Sequence, residues 1–78
     1  MDTIRVDRMK AGDVFLLDEY KFRVKSIKED GENIFGDPLF LLEIEPCNEE
    51  AARSYIAHRY GNLVKWQGYL NIRKPEEE

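Results

Sequence analysis

Cysteine and histidine each occur once in the 78 residues, as Cys47 and His58. A lone cysteine excludes an internal disulfide, and a lone histidine excludes a histidine-rich metal site. The thiol count suits a reducing compartment. No apolar run approaches the roughly 18 residues that cross a bilayer. The N-terminal stretch MDTIRVDRMK is charged where a secretory signal would carry its apolar region. The expectation is a cytoplasmic, soluble protein with no membrane contact. Phosphate-binding glycine loops of either usual form are missing, as is the alternating acidic pattern of a calcium loop. No internal repeat is visible.

The same scarcity bears on catalysis. A nucleophilic site needs a thiol or hydroxyl beside a base that a third group orients. Cys47 and His58 are the one Cys/His combination, eleven positions apart and without a flanking motif or a glycine-rich oxyanion loop. They read as a small packing residue and a surface residue near a helix end. Carboxylates are plentiful: Glu43 and Glu45 share a strand face, and Glu29, Asp30, Glu32 and Asp37 crowd a loop. A chain this short has little room for the cleft that would tune such groups for acid and base work. No enzyme activity, cofactor or metal is expected.

What is present in quantity is charge, unevenly placed. Residues 1–28 carry seven basic and five acidic side chains, 29–50 none and eight, and 51–74 five and none, before three terminal glutamates. The whole sums to −4. Such polarity along the chain means either faces for different partners or acidic and basic segments that neutralise one another in the fold.

The hydrophobic pattern predicts one small domain over residues 1–74, followed by an acidic tail over 75–78 too polar to fold. Residues 3–6 suggest a short edge strand. Residues 11–28, AGDVFLLDEYKFRVKSIK, read as a β-hairpin with Asp18 and Glu19 at the reversal. In its second strand Tyr20, Phe22 and Val24 alternate with Lys21, Arg23 and Lys25, but the next large apolar residue is Ile27 rather than position 26. That slip predicts a β-bulge near Lys25 and Ser26. The stretch 29–38, EDGENIFGDP, reads as a loop. Its Ile34 and Phe35 are expected to fold back over an open end of the core, the other arrangement being an exposed apolar tip inserted into a partner.

Residues 39–45, LFLLEIE, predict a central strand that Pro46 ends. Residues 48–60 carry helix signals: Asn48 as N-cap, acids in the first turn, His58 and Arg59 in the last, and Gly61 beyond. The Gly61-Asn62 pair between apolar runs admits a hairpin there instead, with helix favoured. Residues 63–73, LVKWQGYLNIR, have a clean period of two. Val64, Trp66, Gly68, Leu70 and Ile72 fall on one face of a strand that bends at Gly68, and Trp66 is placed against Phe15, Phe22 and Phe40.

The run KAGDVFLLDEYKFRVKSI, a Gly-Asp turn leading into a short apolar strand, a tight reversal and an aromatic-basic strand, resembles the opening of SH3-like small β-barrels such as KOW-type and translation-factor modules. The likeness covers residues 10–28 and carries over no binding residue. It implies a fold that hosts protein, RNA, DNA and peptide binders alike. Together these readings predict an α+β, mainly β protein: a strongly bent antiparallel sheet or SH3-like small barrel of four or five strands, with one short helix at about 48–60. The expected role is a non-catalytic interaction module that binds and modulates a protein partner through Ile34, Phe35, Tyr55, Tyr60 and Tyr69. The alternative is an RNA- or DNA-binding barrel using Lys21, Arg23, Lys25, Arg53, Arg59, Lys65 and Arg73 against phosphates, with aromatic rings for bases. Pairing of sheet edges into a homodimer is a further option.

Overall fold

A computed structural model describes residues 2–75. Half of them lie in strands, arranged in two antiparallel sheets that do not close into a barrel. The larger sheet has the order β2-β3-β4-β5, built from β2 (Val14–Leu17), β3 (Tyr20–Glu32), β4 (Pro38–Pro46) and β5 (Leu63–Gln67). The smaller one pairs β1 (Thr3–Arg5) with β6 (Asn71–Arg73), Ile4 facing Ile72. A single 3₁₀ turn, Val6–Arg8, follows β1 and buries Val6. The acidic tail expected over 75–78 lies, apart from Pro75, outside the described residues.

The hairpin forms as its sequence dictates. Leu17 faces Tyr20 across a two-residue reversal, and both Asp18 (φ 50°) and Glu19 (φ 73°) take the left-handed conformation. Tight hairpin turns demand this conformation, because it matches the right-handed twist of the flanking strands. Phe22 and Val24 point inward and are buried, while Lys21, Arg23 and Lys25 point out. The ladder to β4 then shifts register between Val24 and Ser26. The bulge turns Ser26 outward and brings Ile27, paired with Leu42, back to the core side. β4 is central, as its two apolar faces require, with β3 and β5 on either side.

The core is continuous across these strands. Phe15 and Phe22 stack at 6.2 Å, Trp66 meets Phe15 edge-on at 5.8 Å, and Leu42, Ile44 and Val64 fill the space beside them. Phe40 faces Trp66 in the β4–β5 ladder. Burying one such phenylalanine contributes about 1.5–3 kcal/mol, so this cluster is the main stabilising term in a chain with few other resources.

Three expectations need correction. The 63–73 strand is two strands in different sheets. Its inward alternation runs on unbroken through the turn at Gly68 and Tyr69, which is why the period of two does not reveal the break. The single helix over 48–60 is two: α1 (Glu49–Ala52), capped by Asn48, and α2 (Tyr55–Tyr60), capped by Ser54. Ser54 breaks the run because its backbone is extended (φ −71°, ψ 158°) and its side chain accepts from the Ala57 N–H. Finally, the segment read as a loop from Glu29 is strand as far as Glu32, where β3 continues against β4 with Glu29 facing Phe40.

Gly68 sits where the chain leaves the larger sheet for β6. Its N–H donates to the Pro38 carbonyl at 3.0 Å, and its own carbonyl accepts from the Asp7 N–H at 2.9 Å. A Cβ there would lie 2.7 Å from Phe40 Cε1 and 3.2 Å from Asp7 Cβ, so only glycine lets these three segments approach.

Candidate functional site

β3 and β4 outrun the rest of the sheet and end in the loop 33–37. Asn33 shapes it. Its side-chain oxygen accepts from the backbone N–H of Phe35 (2.9 Å) and of Asp37 (3.0 Å), its amide donates to Asp37 Oδ2 (3.2 Å), and its carbonyl accepts from Gly36 (3.0 Å). Asparagine favours such turns because its short side chain mimics the next stretch of backbone. Gly36, at φ 85°, completes the reversal. The loop is thereby closed on itself, and Ile34 and Phe35 project from it, 92% and 82% exposed. They do not fold back over the core: the hydrogen bonds that satisfy the loop backbone aim both side chains outward.

Four carboxylates, Glu29, Asp30, Glu32 and Asp37, border the loop in sequence. Asp37 is engaged with Asn33, and Asp30 forms an ion pair with Lys65 at 3.2 Å. Glu29 and Glu32 have no cationic partner among the described residues. Glu32 Oε2 is the nearest atom to the place a Gly36 Cβ would occupy, which sets one free carboxylate against the tip.

The other aromatic candidates fall into two groups. Tyr69 follows Gly68, whose bond to Pro38 places it at the same end of the sheet as the tip, and it is half exposed. Tyr55 and Tyr60 lie on α2, with Tyr55 at the hairpin end. There it meets Tyr20 edge-on at 6.5 Å, and its hydroxyl donates a hydrogen bond to Asp18. That bond raises the Tyr55 pKa above the ordinary 10.0, helped by slight desolvation and by the negative charge of Asp18. Glu19, the second turn residue, accepts from Arg73 of β6. The two residues of the reversal therefore tie the hairpin to α2 and to the last strand.

The basic candidates are largely engaged. Arg23 pairs with Glu45 across β3 and β4 (3.3 Å), Arg53 with Glu49 (2.9 Å), Lys65 with Asp30, and Arg73 with Glu19. Arg59 lies over the Tyr60 ring at 5.6 Å. Lys21 and Lys25 form no ion pair among the described residues. Acidic and basic segments that are separate in sequence thus interleave on the surface.

Two surface depressions lie among the described residues. One of about 530 Å³ is bordered by Asp2, Leu16, Glu19, Lys21, Arg73 and Lys74, the other of about 340 Å³ by Ser26, Lys28, Leu41, Glu43 and Leu63 on the outer face of the sheet. Leu63 is half exposed there, beside the second apolar face of β4. Cys47 and His58 are engaged separately: the Cys47 N–H donates to the Lys21 carbonyl (3.0 Å), and His58 Nδ1 lies 3.1 Å from the Ser54 carbonyl, to which it donates. Among the described residues no three His, Cys, Asp or Glu side chains cluster as metal ligands would, and no helix is long and apolar enough to cross a membrane. The role of Asn33 was readable from its place before Ile-Phe-Gly-Asp, a turn signal that the wider acidic run obscured. No protein-family model matches the chain, and no match to it is found among curated proteins or solved structures.

Proposed function

We propose that this protein is a non-catalytic interaction module that binds and modulates a protein partner, with the Ile34–Phe35 tip as its anchor. The observation that carries this reading is a pair of large apolar side chains, 92% and 82% exposed, on a loop closed by five hydrogen bonds that Asn33 donates or accepts. Neither side chain contributes burial to the fold. A loop already in one conformation loses little entropy when its anchor is covered, which is the condition under which a small contact gives useful affinity. Tyr69 at the same end extends the surface. The ion pairs of Arg23, Arg53, Lys65 and Arg73 support a protein partner over a nucleic acid, because these cations already neutralise carboxylates of the same chain.

The test compares wild type with Phe35→Ala as immobilised bait in extracts of the native host. An anchor of this kind is worth about 2 kcal/mol or more, so a specific partner should be captured by wild type and lost with Phe35→Ala. Equal capture by both proteins would reject the tip as anchor. Retention on single-stranded DNA at low salt would favour the nucleic-acid role instead.

A further inference from the structure

We infer that the partner of the Ile34–Phe35 tip presents an apolar slot rimmed by lysine or arginine side chains, an inference that rests on the interaction-module reading above. The tip is an apolar knob in an acidic setting. Glu29, Asp30, Glu32 and Asp37 surround it in sequence with no basic residue between positions 29 and 50. Two of the four are satisfied within the chain, Asp37 by Asn33 and Asp30 by Lys65. Glu29 and Glu32 are exposed, and Glu32 is the carboxylate beside Gly36 at the tip itself.

A partner that covers Phe35 must approach Glu32 and lower its hydration, with Glu29 further back along β3 adding to the acidic setting. Cations at its rim offset that loss and steer the encounter, whereas a neutral or acidic rim leaves the charges uncompensated. The same charges argue against other occupants. An anionic lipid surface or a polyanion would be repelled from a tip flanked by free carboxylates. A second copy of this chain offers two depressions, but the one at Leu41 and Leu63 carries Glu43 beside Lys28, and the one at Leu16 carries Asp2 and Glu19 beside Lys21 and Lys74, with Arg73 already paired to Glu19, so neither is a basic rim.

The experiment places a photo-crosslinking benzoylphenylalanine at position 35, irradiates cells of the native host, and maps the crosslinked peptide on the captured protein. The purified pair is then titrated with wild type and with the double variant Glu29→Lys, Glu32→Lys. The expected crosslink falls in an apolar slot bordered by lysine or arginine. Affinity should drop by about tenfold between roughly 50 mM and 500 mM salt, and by a similar factor in the double variant at low salt. Both glutamates are exposed, so the variant should keep the wild-type melting temperature, which separates lost binding from lost fold. A crosslink to a neutral or acidic surface, to lipid, or to another copy of this chain would overturn the inference, as would affinity indifferent to salt. If capture still depends on Phe35 in those cases, the interaction reading survives without it. If position 35 yields no protein crosslink and Phe35→Ala captures as well as wild type, both fall.

Discussion

Replacing Gly68 by alanine tests the point where the chain packs tightly against Phe40 and Asp7. The added Cβ would stand 2.7 Å from Phe40 Cε1, where carbon atoms settle at roughly 3.5–4.0 Å, so one of them must yield by about 1 Å. The backbone at Gly68 is held from both sides by its bonds to Pro38 and Asp7, and Phe40 is packed opposite Trp66. Overfilling such a site costs about 1–3 kcal/mol. Alanine recovers about 0.4–1 kcal/mol by restricting the unfolded chain. The net loss is about 1.5 kcal/mol, equivalent to roughly 6–12 °C in the melting temperature of a domain this size. Urea unfolding followed by circular dichroism would measure it, in the wild-type background and again with Phe40→Leu, which removes the ring edge. In that second background Gly68→Ala should cost little, a coupling of about 1–2 kcal/mol that leaves only the milder contact with Asp7. An equal cost in both backgrounds would refute the steric account. Gly68 lies outside the left-handed region, so conformational strain offers no substitute explanation.

Other outcomes follow from the same packing and capping. Phe22→Ala removes a fully buried ring from the centre of the core and should cost about 3–5 kcal/mol, enough to abolish the near-ultraviolet circular dichroism at 37 °C. Asn48→Ala deprives the Ala51 N–H of its 2.8 Å acceptor and should lower stability by about 1 kcal/mol in urea titrations, while Asn48→Asp stays near wild type. In absorbance titration at 295 nm, the difference between wild type and Tyr55→Phe should place Tyr55 above 10.0, and Asp18→Asn should bring it down. Because the folded state holds that proton more tightly, the contribution is fully present below about pH 10 and is lost as pH rises through the raised value.

Much of the fold was legible in side-chain alternation. The hairpin followed from Tyr20, Phe22 and Val24, the bulge from the displacement of Ile27 by one position, and the central place of β4 from apolar residues on both faces. Alternation reports which side a residue faces, but not which sheet it belongs to. Val64, Trp66, Leu70 and Ile72 keep one phase across a boundary between sheets, and the cause of that boundary, the crowding of Phe40 and Asp7 on Gly68, exists only in three dimensions. The pairing of β1 with β6 joins residues nearly seventy positions apart, a distance over which local pattern has no reach. At the candidate site, the identity of Ile34 and Phe35 was visible from the start. Their orientation was not, because it depends on the particular hydrogen bonds of Asn33 and Asp37.

Thr3 faces Arg73, and the Lys74 N–H donates to the Asp2 carbonyl, so the two limbs of the chain come together within a single ladder. They meet beside the reversal at Asp18 and Glu19, at the far end of β3 from Ile34 and Phe35, in a body 36 Å along its longest axis. A tether attached at that junction therefore carries the molecule like a handle, with the apolar tip pointing away from whatever it is joined to.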